Sequence, residues 1–325
     1  MTNVTVICGG VGAARFLRGL VQVVDPAGIT AIVNVGDDTV LHGLEISPDL
    51  DTITYTLAGA IDPERGWGLL DETWHAMEQV HSYATANSIS ANDPIGNDAA
   101  GWFSLGDRDL GTHLYRTSRR RAGATLSQVT TEIARAWGLE LALVPVTDDP
   151  VRTELIATDG RRLSFQEYFV REQHDVAVRS VDVVGAHDAR PAPGVLEAIE
   201  AAEVVVIAPS NPVVSIDPVL AVPGIRDALV AARARSIAVS PIVGGAALKG
   251  PADRLLRELG HEATATGIAR WYAPLAAALV IDEVDAALAD DVAGAGLRCV
   301  VAPTVMSGPD ESAELARRCL AEVLG

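Results

Sequence analysis

Apolar residues in this chain occur mainly in short continuous runs separated by segments with helical spacing. The runs read NVTVIC, ITAIVNV, LELALVPV, EVVVIAPS, SIAVSPIV, AALVID and LRCVVAP. Helical spacing of apolar positions marks several of the intervening segments, including Gly224–Arg233, Pro251–Leu259 and Pro309–Leu324. Strands without polar alternation, joined by helices, are typical of a parallel sheet covered on both faces. The pattern therefore predicts an α/β fold, a Rossmann-like parallel sheet with helices on both faces.

The middle of the chain has a different pattern. Residues from about Leu69 to Trp137 have mainly helical spacing, interrupted at 85–101 by the polar stretch TANSISANDPIGNDAAG, which predicts a surface loop or a poorly ordered segment. The later stretch TELIATDGRRLSF predicts a hairpin that turns at Asp159 and Gly160. We therefore expect a mainly helical lobe with a small antiparallel element. The predicted division is a nucleotide-binding core of residues 1–68 and 139–325 and a lobe of residues 69–138.

Composition and charge exclude several classes of protein. The 325 residues are 49% hydrophobic, enough for a large core without disulfides or structural metal. The formal net charge of −18 argues against general binding to nucleic acid or to an anionic membrane. Cys8, Cys299 and Cys319 lack metal-ligand spacing and fit buried thiols in a reducing compartment. Because no apolar stretch approaches the ~20 residues that span a bilayer, we expect a cytoplasmic protein.

A glycine-rich loop follows the first predicted strand and contains Gly9, Gly10 and Gly12. It lacks the Gly-Lys-Ser/Thr ending of a Walker loop. A dinucleotide fingerprint would place a small residue at Arg15 and an acidic residue, not Asn34, at the end of the second strand. Backbone N–H groups at the start of the following helix suit a phosphate, which predicts a site for a nucleotide diphosphate. The alternative is a tight turn that needs glycine only for its backbone conformation.

Acidic residues are concentrated just after the second predicted strand. Asp37, Asp38, Glu45, Asp49 and Asp51 lie within fifteen positions. Each of them alone is as readily a helix cap or a solvated side chain. As a group that follows a glycine loop, they favour a divalent cation, because magnesium takes one or two carboxylates together with phosphate oxygens and water.

The stretch LGDRDLGTH supplies further candidate chemistry at a predicted helix start. Arg108 could bind an anion or a carboxylate through two N–H donors. A histidine in the position of His113 is more often structural than catalytic, and Arg119–Arg121 are typical of a solvated helix end. This segment therefore contributes one candidate binding residue, Arg108.

Two later loops also follow predicted strands. In APSNPVVSIDP, the short polar side chains of Ser210, Asn211 and Ser215 could bind a base or a ribose, or could form only the turn. In SPIVGGAALKG, glycines again follow a strand, and Lys249 could meet a phosphate or remain at the surface. Both loops belong to the edge where parallel sheets bind ligands, beyond the carboxyl ends of the strands.

Six motifs, taken in order along the chain, resemble the 2-phospho-L-lactate transferase family of coenzyme F420 biosynthesis. They are GGVGAARFLRGL, VNVGDD, HGLEISPDLDT, LGDRDLGTH, APSNPVVSI and SPIVGG, and they span the first 245 residues. The resemblance implies that the terminal ribityl hydroxyl of the deazaflavin Fo attacks a phosphorus of a guanosine diphosphate-linked three-carbon acid. A phosphodiester forms and GMP leaves. The donor carries phospholactate in some members and phosphoenolpyruvate in others, and the GAAR form of the glycine loop favours phosphoenolpyruvate.

The resemblance also implies roles for residues. It implies Mg²⁺ or another divalent cation at Asp49 and Asp51, one of which would orient the Fo hydroxyl or accept its proton, with Asp37 and Arg108 as further catalytic residues. The residues expected to bind the guanosine-linked donor or Fo are Gly9, Gly10, Gly12, Ala13, Asn34, Asp38, Ser104, Ser210, Asn211 and Gly244. The helical lobe would cover Fo. Partners would be small-molecule substrates and a second copy of the chain in a homodimer.

Two other functions compete with this one. One alternative is a nucleotide-sugar-binding regulator of the gluconeogenesis-factor type, because such proteins share the early glycine loop and an SPDLDT-like segment with this chain. The stretch LGDRDLGTH favours the transferase instead. A Rossmann oxidoreductase is disfavoured because the second strand lacks an acidic end and the chain offers no convincing Tyr/Lys or Cys/His pair.

Overall fold

The structure, a computed structural model, describes residues 2–87 and 102–325. The strands are β1 (Val4–Cys8), β2 (Ile29–Val33), β3 (Thr39–Leu41), β4 (Leu44–Ile46), β5 (Ala142–Pro145), β6 (Arg152–Ala157), β7 (Arg162–Ser164), β8 (Val178–Val184), β9 (Val204–Ile207), β10 (Ser236–Val239), β11 (Ile242–Val243), β12 (Ala246–Ala247), β13 (Ala278–Ile281) and β14 (Arg298–Val301). The helices are α1 (Gly10–Leu20), α2 (Pro48–Leu57), α3 (His75–Ala86), α4 (Asp109–Arg121), α5 (Leu126–Ala136), α6 (Val195–Ala201), α7 (Asp217–Leu220), α8 (Ile225–Ala232), α9 (Ala252–Glu258), α10 (Ala265–Tyr272), α11 (Ala289–Gly294) and α12 (Pro309–Leu324).

The seven apolar runs form one central sheet. Its strand order within the described residues is β14-β13-β10-β9-β1-β2-β5, and every neighbouring pair is parallel. The chain leaves β1 toward β2 on one side and later returns to pair β9 on the other side. Such a reversal of strand order opens a crevice beyond the carboxyl ends of the strands. The predicted α/β class is confirmed, and the predicted helices correspond to α8, α9 and α12.

Close packing fixes the helices on the sheet. Strand β1 is buried along its whole length, and α1 packs between α2 and α12. A side chain at Gly19 would bring its Cβ to 2.1 Å from the backbone of Ser312, so α1 and α12 approach each other at a glycine. The C-terminal end of α1 is therefore fixed against α12.

Antiparallel pairs lie outside the central sheet. Strands β6, β7 and β8 form a sheet in the order β7-β6-β8, β3 pairs with β4, and β11 pairs with β12. The predicted hairpin is confirmed as β6–β7, and Gly160 in its turn has a φ of +90°. Of the predicted polar loop at 85–101, residues 88–101 lie outside the described residues.

Helices α3, α4 and α5 confirm the mainly helical section. A second apolar cluster, separate from the main core, joins Leu41 and Ile46 of the β3–β4 pair to Met77 of α3 and to Leu105. Helix α5 instead packs against β5. The division into a core of 1–68 and 139–325 and a lobe of 69–138 stays a prediction. Among the described residues, no helix combines the length and the hydropathy needed to cross a membrane.

Candidate active site

The glycine loop lies between a carboxylate and a serine hydroxyl. Gly9 precedes α1 in extended conformation, and Gly10 follows with a φ of +71°, which glycine adopts without strain. The Ser210 hydroxyl donates to the Gly9 carbonyl at 2.7 Å, and the backbone N–H of Gly10 bonds to Asp49. A Cβ at Gly9 would lie 2.6 Å from Oδ2 of Asp49. The loop therefore connects the ends of β1 and β9 to the start of α2.

The two following positions of the loop have packing roles. A Cβ at Gly12 would lie 2.1 Å from the carbonyl oxygen of Pro209, so glycine is required there for the close approach of α1 to the segment after β9. Ala13 is buried in the first turn of α1. Contact with a ligand at these two positions would be through backbone N–H groups.

Asp49 is a buried carboxylate held by two donors. The Asn34 amide donates to Oδ2 of Asp49 at 3.0 Å and also to the carbonyl of Val214, while its own oxygen accepts from Gly36. Burial raises the pKa of Asp49 to about 6, against the opposing hydrogen bonds from Asn34 and Gly10. Such a carboxyl titrates close to neutral pH, which suits a general base.

Asp37 and Asp38 extend the acidic cluster around Asp49. Burial, together with the charges of Asp49 and Asp38, raises the pKa of Asp37 well above its ordinary value. Burial also raises the pKa of Asp38, although the hydroxyl of Ser47 donates to its Oδ2 at 2.7 Å. Oδ1 of Asp37 and Oδ1 of Asp38 have no hydrogen-bond partner among the described residues. A cation or a hydrogen-bond donor from a ligand would satisfy them.

No group of three or more His, Cys, Asp or Glu side chains within residues 2–87 and 102–325 is arranged to hold a metal ion. Magnesium, however, is commonly bound by one or two carboxylates together with phosphate oxygens and water. The unpartnered oxygens of Asp37 and Asp38, next to Asp49, fit that requirement.

Asp51 has a different environment, because a buried arginine occupies both of its oxygens. Arg116 of α4 donates from Nη1 to Oδ2 of Asp51 at 3.1 Å and from Nη2 to Oδ1. Both side chains are almost fully buried, with relative exposures of 2% and 8%. An oxygen that already accepts from a guanidinium is poorly placed to bind a cation as well. Asp51 therefore anchors α4 through this ion pair, and its role as a metal ligand stays a prediction.

The ion pair continues into a buried polar chain between α2 and α4. Nη1 of Arg116 lies 3.2 Å from Nδ1 of His113, and Nε2 of His113 lies 3.2 Å from Oδ2 of Asp109. The Tyr55 hydroxyl donates to Asp109 at 2.6 Å. Burial raises the pKa of Asp109, but hydrogen bonds from His113 and Tyr55 and the charge of Arg116 outweigh it and hold that pKa below its ordinary value. The structural role expected for His113 agrees with these contacts.

Arg108 and Ser104 lie just before α4. The exposed Arg108 side chain donates from Nη1 to the carbonyl of Leu70 at 2.6 Å, and its backbone N–H donates to Glu72. Ser104 is half-buried. The contacts of Arg108 are thus with the segment before α3 rather than with the aspartates, and its catalytic role stays a prediction. Arg119–Arg121, expected to be solvated, bind Glu132, Glu45 and the carbonyl of Gly43.

The remaining predicted residues have local partners. Asn211 caps the turn after β9 by accepting from the backbone N–H of Val213 at 3.0 Å, which is the turn-forming alternative. Gly244 has a φ of +58° and donates to Asp285 at 3.0 Å. Lys249 is exposed, and a Cβ at Gly66 would lie 2.9 Å from its Nζ. Nucleotide binding at Asn211 and Gly244 stays a prediction.

Sequence similarity identifies the family. The model of the family "2-phospho-L-lactate transferase CofD" matches residues 4–298. The chain belongs to this family. It is a transferase of coenzyme F420 biosynthesis, as the ordered motifs had implied.

Named relatives match over nearly their whole lengths. A phosphoenolpyruvate transferase of Streptomyces griseus is 44% identical over 322 residues, covering 98% of this chain and 97% of the relative. Proteins of the same name from Streptomyces coelicolor and Nocardia farcinica are 45% and 43% identical, each over 98% of this chain and over 97% and 94% of their own.

Solved structures support the fold alone. Protein BH3568 of Bacillus halodurans has a TM-score of 0.61 at 17% identity, covering 98% of this chain and 99% of that one. A second structure of BH3568, described as a member of the upf0052 family, has a TM-score of 0.61 at 16% identity over 98% of each chain. The chain therefore shares its fold with BH3568.

Proposed function

We propose that this transferase moves a phosphoenolpyruvyl group from a guanosine diphosphate-linked donor to the terminal ribityl hydroxyl of Fo, giving dehydro-F420-0 and GMP. The names of the relatives support this donor over the 2-phospho-L-lactyl donor, which would give F420-0. The observation that carries the proposal is the contact between the buried carboxylate of Asp49 and the glycine loop at Gly10. A base and an anion-binding loop at one place are what this group transfer requires.

The reaction forms a bond between the Fo hydroxyl oxygen and phosphorus, while the bond from that phosphorus to the bridging oxygen of the donor breaks. GMP leaves with the bridging oxygen and the electron pair of the broken bond. Asp49, ionised above a pKa of about 6, would accept the proton of the attacking hydroxyl. The N–H groups at the start of α1 would bind the diphosphate, and Ser210 would fix the loop through Gly9.

A divalent cation, Mg²⁺ or another, would be held by one or two of the carboxylates of Asp37, Asp38 and Asp49 together with the donor phosphates. When bound, it would neutralise the charge that develops on the phosphoryl oxygens and the leaving group. Asp51 would position α4 through Arg116 rather than bind the ion. Arg108 and Ser104 would contact Fo from the lobe, and Asn211 and the loop at Gly244 would hold the nucleotide.

The testing experiment incubates purified protein with Fo, Mg²⁺ and either the enolpyruvyl or the lactyl guanosine diphosphate donor, and follows the deazaflavin product by chromatography and mass. We expect the enolpyruvyl donor to give the higher kcat/KM. A higher kcat/KM with the lactyl donor would reverse the assignment of the donor. Saturable binding of a UDP-sugar with no binding of Fo would instead support the nucleotide-sugar regulator. Light scattering at low concentration tests the homodimer that the family resemblance leads us to expect.

A further inference from the structure

Helix α4 binds one residue of the β3–β4 hairpin from three positions. The Thr117 hydroxyl accepts from the backbone N–H of Glu45 at 2.8 Å, and Nη1 of Arg116 donates to the Glu45 carbonyl at 3.4 Å. Nε of Arg120 donates to Oε2 of Glu45 at 3.2 Å. In the described part of the chain β4 pairs with β3 alone, so its outer edge would otherwise have open backbone groups. Helix α4 therefore fixes β4 in position along that edge.

The end of β4 leads directly to the acidic cluster. Thr39 is paired with Ile46, so Asp38 and Ser47 are the next positions outward at the open end of the hairpin. The Ser47 hydroxyl donates to Oδ2 of Asp38 at 2.7 Å. A displacement of β4 would therefore move the donor that holds this carboxylate.

Ser47 makes this bond in place of a helix cap. It stands at the N-cap of α2, where a serine oxygen ordinarily accepts from the second or third backbone N–H of the helix, and it makes no such bond. The residue is buried, with 1% of its surface exposed. A buried serine that leaves its helix uncapped and donates to a carboxylate indicates that the orientation of that carboxylate is what the position serves.

Resting on the proposed function, in which Asp38 is one of the carboxylates available to the cation, we propose that Thr117 is a positioning residue for Asp38. It acts through Glu45 and Ser47. Thr117 is 4% exposed and its hydroxyl already accepts from Glu45, so it is not itself a ligand of substrate or cation. A carboxylate that is held through one oxygen presents the other in a fixed direction, and such support from outside the ligand set raises the affinity for a metal ion.

The experiment measures binding of Mn²⁺ to the full chain by electron paramagnetic resonance, with GDP present, in wild type, Thr117→Val and Thr117→Ser. Mn²⁺ accepts the same oxygen ligands as Mg²⁺. Valine keeps the shape of the side chain but leaves the Glu45 N–H without its acceptor, and should weaken Mn²⁺ binding about tenfold. Serine keeps the hydroxyl and should bind Mn²⁺ as wild type does. The affinity for GDP without metal, measured by calorimetry, should be the same in all three proteins.

A double-mutant cycle with Asp38→Asn separates positioning from a general loss of stability. If Thr117 acts through Asp38, Thr117→Val should cost no Mn²⁺ affinity in the Asp38→Asn background, which keeps Asp37 and Asp49. Thr264→Val is the matched control, because its hydroxyl also accepts a backbone N–H, that of Gly267 at 3.1 Å, at the start of α10. This control should lower the melting temperature and leave Mn²⁺ affinity unchanged.

Ser47→Ala tests the same chain of contacts without altering α4. It removes the donor to Asp38 and no helix cap, and should weaken Mn²⁺ binding by a similar factor. Unchanged Mn²⁺ affinity in Thr117→Val or in Ser47→Ala would overturn the positioning role, and so would an equal loss from Thr117→Val in the Asp38→Asn background. Absence of Mn²⁺ binding to folded wild type with GDP present would overturn the cation of the proposed function, and the positioning role with it.

Discussion

Arg116 and Asp51 form a two-armed ion pair in the interior of the protein, although they lie 65 positions apart in the chain. Each partner belongs to a different helix, Arg116 to α4 and Asp51 to α2. The pair therefore determines how the helix that begins with the DRD segment is placed against the helix that carries Asp49.

Breaking this pair should be costly. Arg116→Met leaves a buried carboxylate without its counter-charge, and we expect a loss of about 3–5 kcal/mol in the free energy of unfolding. Arg116→Lys should recover only part of this loss, because an ammonium cannot reproduce the two parallel N–H bonds. Urea denaturation measures both variants. Arg119→Met is the control, since its pair with Glu132 is partly exposed and screened by solvent, so its loss should change the free energy of unfolding far less.

Replacing Asp49 should reduce the catalytic rate without disturbing the fold. Asp49→Asn keeps the size of the side chain and an oxygen that can accept from Gly10. We expect kcat to fall at least ~10²-fold, the scale associated with losing a positioned base or cation ligand, with a smaller change in GDP affinity. Steady-state kinetics measures this, with Asp227→Asn in the surface helix α8 as a control. Near-normal turnover would show that Asp49 is not a catalytic residue.

The raised pKa of Asp49 predicts a pH dependence of activity. If its ionised form accepts the proton, kcat/KM should rise with pH through about 6 and level off above it. The profile is measured between pH 4.5 and 8.5 in constant-ionic-strength buffer. Persistence of the same limb in Asp49→Asn would assign the ionisation to another group.

The raised pKa of Asp49 also predicts that the stability of the folded protein falls as the pH rises. The pKa of Asp49 is raised from 3.8 to about 6 by burial, so the folded state binds this proton more tightly than the unfolded state. The contribution of the protonated carboxyl is present below pH ~4 and is lost as the pH rises through about 6. Asp49→Asn should therefore gain stability relative to wild type between pH 4.5 and pH 7.5. Parallel melting curves at each pH measure the difference, and a constant difference would contradict the shift.

The glycine loop needs two different tests. Gly12→Ala should destabilise the protein by about 1–3 kcal/mol, because its Cβ would meet the carbonyl of Pro209, so position 12 reports packing rather than binding. Ser210→Ala frees the loop at Gly9 and should weaken GDP binding about tenfold. Calorimetry measures the GDP affinity. Ser240→Ala is the control, because the Ser240 hydroxyl donates to the carbonyl of Ile242 within its own turn. Unchanged GDP affinity in Ser210→Ala would show that the loop only shapes the backbone.

The sheet could be predicted from sequence because a strand buried on both faces leaves a continuous apolar run. All seven such runs became strands of the central sheet. The site could be predicted in part for a related reason, since the ends of parallel strands meet at one edge. That reasoning led to Gly10 and Ser210, whereas Asp49 was singled out by the acidic cluster and by the family resemblance. The structure brings the three residues together.

Arg116 was missed because its local sequence, RTSRRR, reads as a solvated helix end. Its burial depends on a helix docked from a distant part of the chain, which no local pattern records. One signal was available: Asp109, His113 and Arg116 are spaced i, i+4, i+7 and so share a helix face.

The pairing of β1 with β9 affects how the protein is synthesised. Val4 is opposite Val204, so one edge of β1 has no partner until some two hundred further residues have been synthesised. Until then, a largely apolar strand presents an open edge of backbone N–H and C=O groups, which is a template for aggregation. Ser210 arrives only with that late strand, so a nascent chain that already contains the glycine loop and every aspartate of the cluster still lacks the hydroxyl that holds the loop. Fragments that end before β9 should accordingly be insoluble and unable to bind nucleotide, however complete their acidic residues.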